Sequence, residues 1–256
     1  MTTLTLLTKI NSNAQLKQIS NTLNFSLNGL EVETKVLGEV ADGWVQVAVA
    51  GEDESVATNY LIKKIGLCPS NFTNINEHAT LKGYIKNVGK NATALSVDVG
   101  VFQPKIVDAT LALRDLQAQL VDDRKIALKK IAELFGLCED LPVNVKVANL
   151  DEEENRIEVK LANEQIEKYT VWRESLLDRL LVLGASAHEI NKAIKHAKLE
   201  RDVIDTEHIG LLEHALTCKL GTDATGLIPK IGRNLKNSKF IVFNPKALRA
   251  FLKTEK

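Results

Sequence analysis

Residues 141–161, LPVNVKVANLDEEENRIEVKL, carry the clearest period in the chain. Val143, Val145 and Val147 fall on one side with Asn144 and Lys146 between them, and after an acidic turn Ile157, Val159 and Leu161 repeat the alternation. A period of two interrupted by a charged turn predicts a half-buried β-hairpin. Working back from it, Leu81–Gly89, Leu95–Val101 and Lys105–Leu113 read as strands. Lys125–Phe135 reads as a helix with Ile126, Leu128, Ile131, Leu134 and Phe135 as its apolar positions and Gly136 as its stop. Three strands, a helix and two strands is the order of an OB-type barrel, a fold whose surface often takes nucleic acid.

Within that order Gly83-Tyr84-Ile85 opens the first strand and Val97-Asp98-Val99-Gly100 forms the second. Val145-Lys146-Val147 with Asp151 and Arg156-Ile157 make the closing hairpin. The segment thereby resembles the RNA-binding repeat of the ribosomal-protein S-one type, over roughly a third of the chain. The resemblance implies RNA as ligand. Alternation puts Lys82, Tyr84 and Lys86 on the outer face of the first strand, one stacking ring flanked by two phosphate partners. One departure stands out: the resembled repeat carries aromatic residues on its second and third strands, whereas this segment offers only Tyr84 and Phe102.

The first 78 residues read β-α-β-β-α, the start of a ferredoxin-like unit. A strand over residues 3–10 precedes a helix capped by Ser12 or Asn13, with Leu16, Ile19, Leu23 and Leu27 at helical spacing. Strands near Leu30–Val40 and Trp44–Ala50 flank an Asp42-Gly43 turn. A second helix carries Val56, Tyr60, Leu61 and Ile65, and the fourth strand lies in residues 70–82 or is missing. The asparagine-rich Ser70–Thr80 reads as a linker. After the barrel, a helix over Glu164–Leu183 is expected to stop at Gly184, and Ser186 with Glu189 forms a capping box for a helix to Leu199. Helix, turn and helix is also the outline of a DNA reader, with His188, Asn191, Lys192, Lys195 and Lys198 as its reading face. A further helix is expected over Glu207–Lys219, capped by Thr206, and a last one after Asn244-Pro245. The expected architecture is therefore α+β in three parts: a ferredoxin-like unit over 1–78, an OB-like barrel over 79–162, and a mostly helical basic region over 163–256.

Formal net charge is zero over 256 residues, yet residues 218–256 hold 9 basic and 2 acidic side chains. A basic segment on a neutral body attracts phosphate, and it also serves as a solvated face. Lys230, Arg233 and Lys236 lie in its centre. Gly221 and Gly226 have the spacing of a phosphate-binding loop, but Leu227-Ile228 stands where Lys-Ser/Thr is required, so a nucleoside triphosphate is excluded. What survives is an anion site at a helix start near Gly226. Cys68, Cys138 and Cys218 are too far apart for a local zinc motif, and their odd number argues against a disulfide framework. No apolar run reaches membrane length and no secretory leader is read, which predicts a cytoplasmic protein.

Residues 201–205 (RDVID), 210–216 (GLLEHAL), 218–224 (CKLGTDA) and 227–232 (LIPKIG) resemble the C-terminal signature of an archaeal family classed as a domain of unknown function. That resemblance extends along the chain and implies an archaeal origin and no particular activity. The enzyme reading rests on Glu207, His208, Glu213 and His214, with Asp202, Asp205 and Asp223 nearby. On a helix, however, two histidines six residues apart stand about 120° off a shared face, and no His-Glu-x-x-His pattern occurs. The reading that asks least is a non-catalytic RNA-binding protein of translation or RNA processing. Its expected partner is RNA or the ribosome, its expected site is Lys82, Tyr84, Lys86, Lys230, Arg233 and Lys236, and no metal, cofactor or membrane is expected. A DNA-binding regulator and an unrecognised enzyme are the alternatives.

Overall fold

The computed structural model describes residues 1–254. β1 (Thr2–Lys9), α1 (Asn13–Ser26), β2 (Val32–Val40), β3 (Trp44–Gly51) and α2 (Glu54–Lys64) follow the order read from the sequence. They form a three-stranded antiparallel sheet ordered β1-β3-β2. Ile19 and Leu23 of α1 and Leu61 of α2 pack on Leu4, Leu6, Val45, Val47 and Val49. No fourth strand joins this sheet among the described residues. Instead the chain runs along the free edge of β1, where Leu7 N donates to Gly66 O at 2.9 Å and Cys68 N to Thr5 O at 3.0 Å.

Next come β4 (Ser70–Asn71), a 3-10 turn at Phe72–Asn74, β5 (Thr80–Lys86), β6 (Ala94–Gln103), β7 (Val107–Ala112), α3 (Leu113–Leu120), α4 (Leu128–Phe135), β8 (Pro142–Asp151) and β9 (Arg156–Leu161). β4 pairs in parallel with β6, and Phe72 and Ile75 are buried in the barrel core, so the segment read as a linker is stitched to the barrel. Strands β6-β5-β8-β9-β7 follow one another and β6 pairs with β7, closing five strands. The one parallel contact inside the ring, β7 with β9, gives the OB order. α3 was not foreseen: Leu116 and Leu120 are buried, but two apolar anchors in eight residues give too short a period to read.

The last part is α5 (Asn163–Ser175), β10 (Arg179–Leu183), α6 (Ala187–His196), β11 (Val203–His208), β12 (Glu213–Cys218), α7 (Ala224–Ile231), β13 (Lys239–Phe243) and α8 (Pro245–Thr254). Its helices rest on a four-stranded antiparallel sheet ordered β11-β12-β10-β13, a split βαβ arrangement. Two helix expectations are corrected here. The helix expected to reach Leu183 ends at Ser175, and residues 179–183 are a strand buried on both faces. Leu180 and Val182 pack with α6 and α7, while Leu181 and Leu183 pack with the barrel core. A strand covered on both sides loses its polar alternation, and its apolar run then passes for the end of a helical stripe. The helix expected over Glu207–Lys219 is the β11–β12 hairpin, and all six residues of β12 are buried. The Gly184 turn therefore joins a strand to a helix, and residues 176–199 do not form a helix-turn-helix. The cap survives, with Ser186 Oγ accepting from Glu189 N at 3.4 Å.

Val145 is 0% and Val159 1% exposed, whereas Glu153 lies in the exposed turn. Val145→Ala and Val159→Ala should each cost about 1–3 kcal/mol by lost transfer energy plus cavity. Glu153→Ala should leave the urea midpoint unchanged.

Candidate nucleic-acid interface and the junction beneath it

Lys82, Tyr84 and Lys86 alternate outward from β5 as expected, but the face they share is roofed by the other two sheets. Tyr84 is 1% exposed. Its ring meets Trp44 of β3 edge-on, with centroids 5.5 Å apart, and its hydroxyl donates to Glu213 Oε2 of β12 at 3.3 Å. Lys82 Nζ is given to the Ile209 carbonyl at 2.6 Å, and burial lowers its pKa against the pull of Glu213. Lys86 Nζ lies 2.7 Å from Asp42 Oδ2 and 3.1 Å from Asp108 Oδ2. Burial works against that charge, but hydrogen bonds to these carboxylates hold its pKa above the ordinary lysine value. The stacking ring and two phosphate partners expected on an open face are therefore corrected: the ring is enclosed and both ammonium groups are engaged.

Below them lies Asp98, the cross-strand neighbour of Tyr84. Its Oδ2 accepts from Lys9 Nζ of β1 at 2.7 Å, with side chains 7% and 2% exposed. Its Oδ1 accepts from Trp44 Nε1 at 3.3 Å and from Gly100 N at 3.0 Å. Gly100 has φ +81°, and a Cβ there would sit 2.9 Å from Cys68 Sγ. The Val-Asp-x-Gly run thus folds its aspartate back on its own strand and onto the first sheet. Asp98 was legible as part of the Val-Asp-x-Gly strand; its partner Lys9 was not, because nothing in β1 signals a buried cation.

From the other side the β11–β12 hairpin enters. Leu212 is buried in the core of the first sheet, and its carbonyl accepts from Gly184 N and Ala185 N. Gly210 leaves room for Glu213, since a Cβ there would meet Glu213 Oε2 at 1.9 Å. Burial pushes the Glu213 carboxyl up to about 7, against the pull of Lys82, the Leu212 amide and the Tyr84 hydroxyl. Next to it, His214 faces the opposite side of β12 and pairs across the hairpin with His208, ring centroids 4.8 Å apart. The helical-spacing argument that separated these two rings does not apply on a hairpin. Burial, then His208, lowers His214 to about 4, so its ring is neutral at pH 7. Glu207 points elsewhere, accepting from Trp172 Nε1 at 2.9 Å and pairing with Lys168 at 3.1 Å. Among the described residues, no group of three His, Cys, Asp or Glu side chains stands close enough to hold a metal.

Lys230, on α7, and Arg233 and Lys236, in the turn that follows, are exposed. None of the three forms a salt bridge with a described residue. The anion site expected at the start of α7 is corrected: Asp223 Oδ1 accepts from Thr225 N at 3.0 Å and Asp178 Oδ2 from Ala224 N at 3.4 Å. Two carboxylates occupy the place an anion would need.

Residues 3–71 match the DUF2110 N-terminal domain, 75–173 the DUF2110 central domain and 177–243 the DUF2110 C-terminal domain. The chain belongs to the DUF2110 family. In it, the Gly210–Leu216 run is the turn and strand that plug the junction. No curated protein matches the DUF2110 chain in sequence. Among solved structures, an uncharacterized protein from Methanocaldococcus jannaschii is 15% identical, covering 35% of this chain and 95% of its own, with TM-score 0.24. The a/eIF2alpha–aDim2p–rRNA complex from Pyrococcus horikoshii gives 13% identity over 49% of this chain and 60% of that one, with TM-score 0.27. The intact alpha subunit of aIF2 from Pyrococcus abyssi gives 10% over 66% and 97%, with TM-score 0.26. Likeness at this level leaves the reading of the site to the chain's own geometry.

Asp98→Asn would leave Lys9 buried without a counter-charge and should cost about 3–5 kcal/mol, while Lys9→Met combined with Asp98→Asn should recover most of the loss in urea denaturation. Glu213 binds its proton more tightly folded than unfolded, so its contribution to stability is whole below the ordinary glutamate range and falls as pH rises towards 7. The stability difference between Glu213→Gln and the parent should accordingly grow in favour of the variant from pH 4.5 to 7 and level off above.

Proposed function

We propose that the protein is a non-catalytic RNA-binding protein of translation or RNA processing, and that it holds RNA by charge through Lys230, Arg233 and Lys236. The observation that carries the reading is this run of exposed cations, free of salt bridges with described residues, in a segment of 9 basic and 2 acidic side chains, while the rest of the chain is net acidic. Cations already paired with carboxylates must give up those pairs to meet a phosphate; these three need not. On the open part of the barrel surface exposed Arg156 and Lys160 are paired with Glu158 and Asp115. Base stacking on β5 drops out of the reading because Tyr84 is enclosed. Affinity is then sequence-tolerant and falls steeply with salt.

Lys230→Ala with Arg233→Ala should weaken binding to unrelated single-stranded RNAs alike and flatten the plot of log affinity against log salt by about one to two units. Fluorescence anisotropy between roughly 50 and 200 mM salt measures both. No binding by the parent protein at the low end of that range would refute the reading.

A further inference from the structure

A cavity of about 230 Å³ opens where the three sheets meet, lined by Lys9 and Gln15 on one side, Tyr84 and Asp140 on another and Leu183 and Glu213 on the third. Its inner wall is buried Lys9, Tyr84 and Glu213; its mouth is rimmed by exposed Asn11, Asn237 and Lys239. The volume equals the liquid share of roughly seven or eight waters. We propose that this cavity is a binding site for a small organic cation, an alkylammonium or alkylguanidinium, with Glu213 as its counter-charge.

The charge inventory points to a cation. Lys9 is spent on Asp98, and Asp140 Oδ2 takes both Lys239 Nζ and Asn11 Nδ2. Glu213 is 4% exposed and no described cation lies within ion-pair distance of it. Tyr84 and the Leu212 amide both donate to its Oε2. A buried carboxylate without a cation is expensive, and either a proton or a ligand charge relieves it. Two further polar atoms on the wall have acceptor capacity to spare. Ser12 Oγ is buried and meets only the Gln15 amide of its capping box, with no close hydrogen bond among the described residues, and the Gly184 carbonyl has only a long contact of 3.4 Å from Gln15 Nε2. A donor-rich cation meets this wall; an anion would face Glu213 and Asp140. Leu183 and the edge of Tyr84 supply the apolar surface for its carbon stem.

The groups that face Glu213 are Lys9 from β1, Lys82 and Tyr84 from β5, Asp140 from the loop before β8 and Lys239 from β13. Among them Glu213 is the one with its carboxyl held at about 7, so cation binding should displace its proton near neutrality. The test is calorimetry on the full chain with n-butylammonium, 1,4-diaminobutane and n-butylguanidinium, with phosphate and acetate as anionic controls. Titrations at pH 6 and pH 8, and at pH 7 in two buffers of different protonation enthalpy, read affinity and proton release. At least one of the three cations should bind at a single site, roughly tenfold tighter at pH 8 than at pH 6, with proton release at pH 7. Glu213→Gln, checked as folded by near-ultraviolet circular dichroism, should lose binding at least tenfold, and Ser12→Ala a few-fold. Should Glu213→Gln not fold, the pH dependence and proton release of the parent protein decide. Lys236→Ala, outside the cavity, should bind as the parent does. Silence from all three cations at 10 mM, equal binding by folded Glu213→Gln, tighter binding at pH 6, or binding of the anions alone would each overturn the proposal. RNA affinity is measured separately and depends on different residues, so failure of one leaves the other standing.

Discussion

Asp98 and Lys9 form an ion pair across two sheets at 2.7 Å, with both side chains almost wholly removed from water. Such a pair is stable only where geometry and further hydrogen bonds replace the lost hydration. Here Trp44 Nε1 and the Gly100 amide fill the second oxygen of Asp98, and Lys9 Nζ stands 5.2 Å from the centre of the Trp44 ring. Separating the first sheet from the barrel would strand both charges in a poorly hydrated seam. The third sheet is tied to the same seam by Tyr84, which touches Trp44 with its ring and Glu213 with its hydroxyl. One outward face of one barrel strand therefore serves as the floor on which the other two sheets are set.

That constraint decides how function divides over the surface. In an open OB barrel the outward residues of the first strands are free to meet bases. In this chain they are committed to structure, whereas Lys230, Arg233 and Lys236 lie exposed on and after α7, on the opposite side of the third sheet from the barrel. The hairpin turn at Gly210–Leu212 closes the seam, yet the fit leaves a cavity with one buried carboxyl. The proposed RNA-binding cations and the proposed interior site thus fall on separate residues.

The barrel was legible through its closing hairpin, whose strands have one covered face, and Val143, Val145, Val147, Ile157, Val159 and Leu161 alternate cleanly for that reason. The β-α-β-β-α order of the first part was legible through Asp42-Gly43 and the stripe of Ile19 and Leu23. The third sheet was hidden by its own burial: Leu180 to Leu183 and Glu213 to Cys218 are covered on both sides, so the period that marks a strand is absent. Outward alternation placed Tyr84 on the right face and said nothing of what covers it. Packing between distant segments, such as Lys9 with Asp98 or Tyr84 with Glu213, leaves no trace in a local period. Lys230, Arg233 and Lys236 were readable as a basic run, whereas the Asp223 and Asp178 carboxylates that cap α7 needed coordinates to be recognised.

Hydroxyl-radical footprinting with mass spectrometry tests most directly whether the outer face of β5 is sealed. The enclosed geometry predicts that Tyr84 and Trp44, each 1% exposed, stay unlabelled in the folded chain while Phe25, 85% exposed, is oxidised readily. Labelling of Tyr84 at a rate comparable with Phe25 under folding conditions would contradict the sealed junction and reopen that face as a surface for RNA.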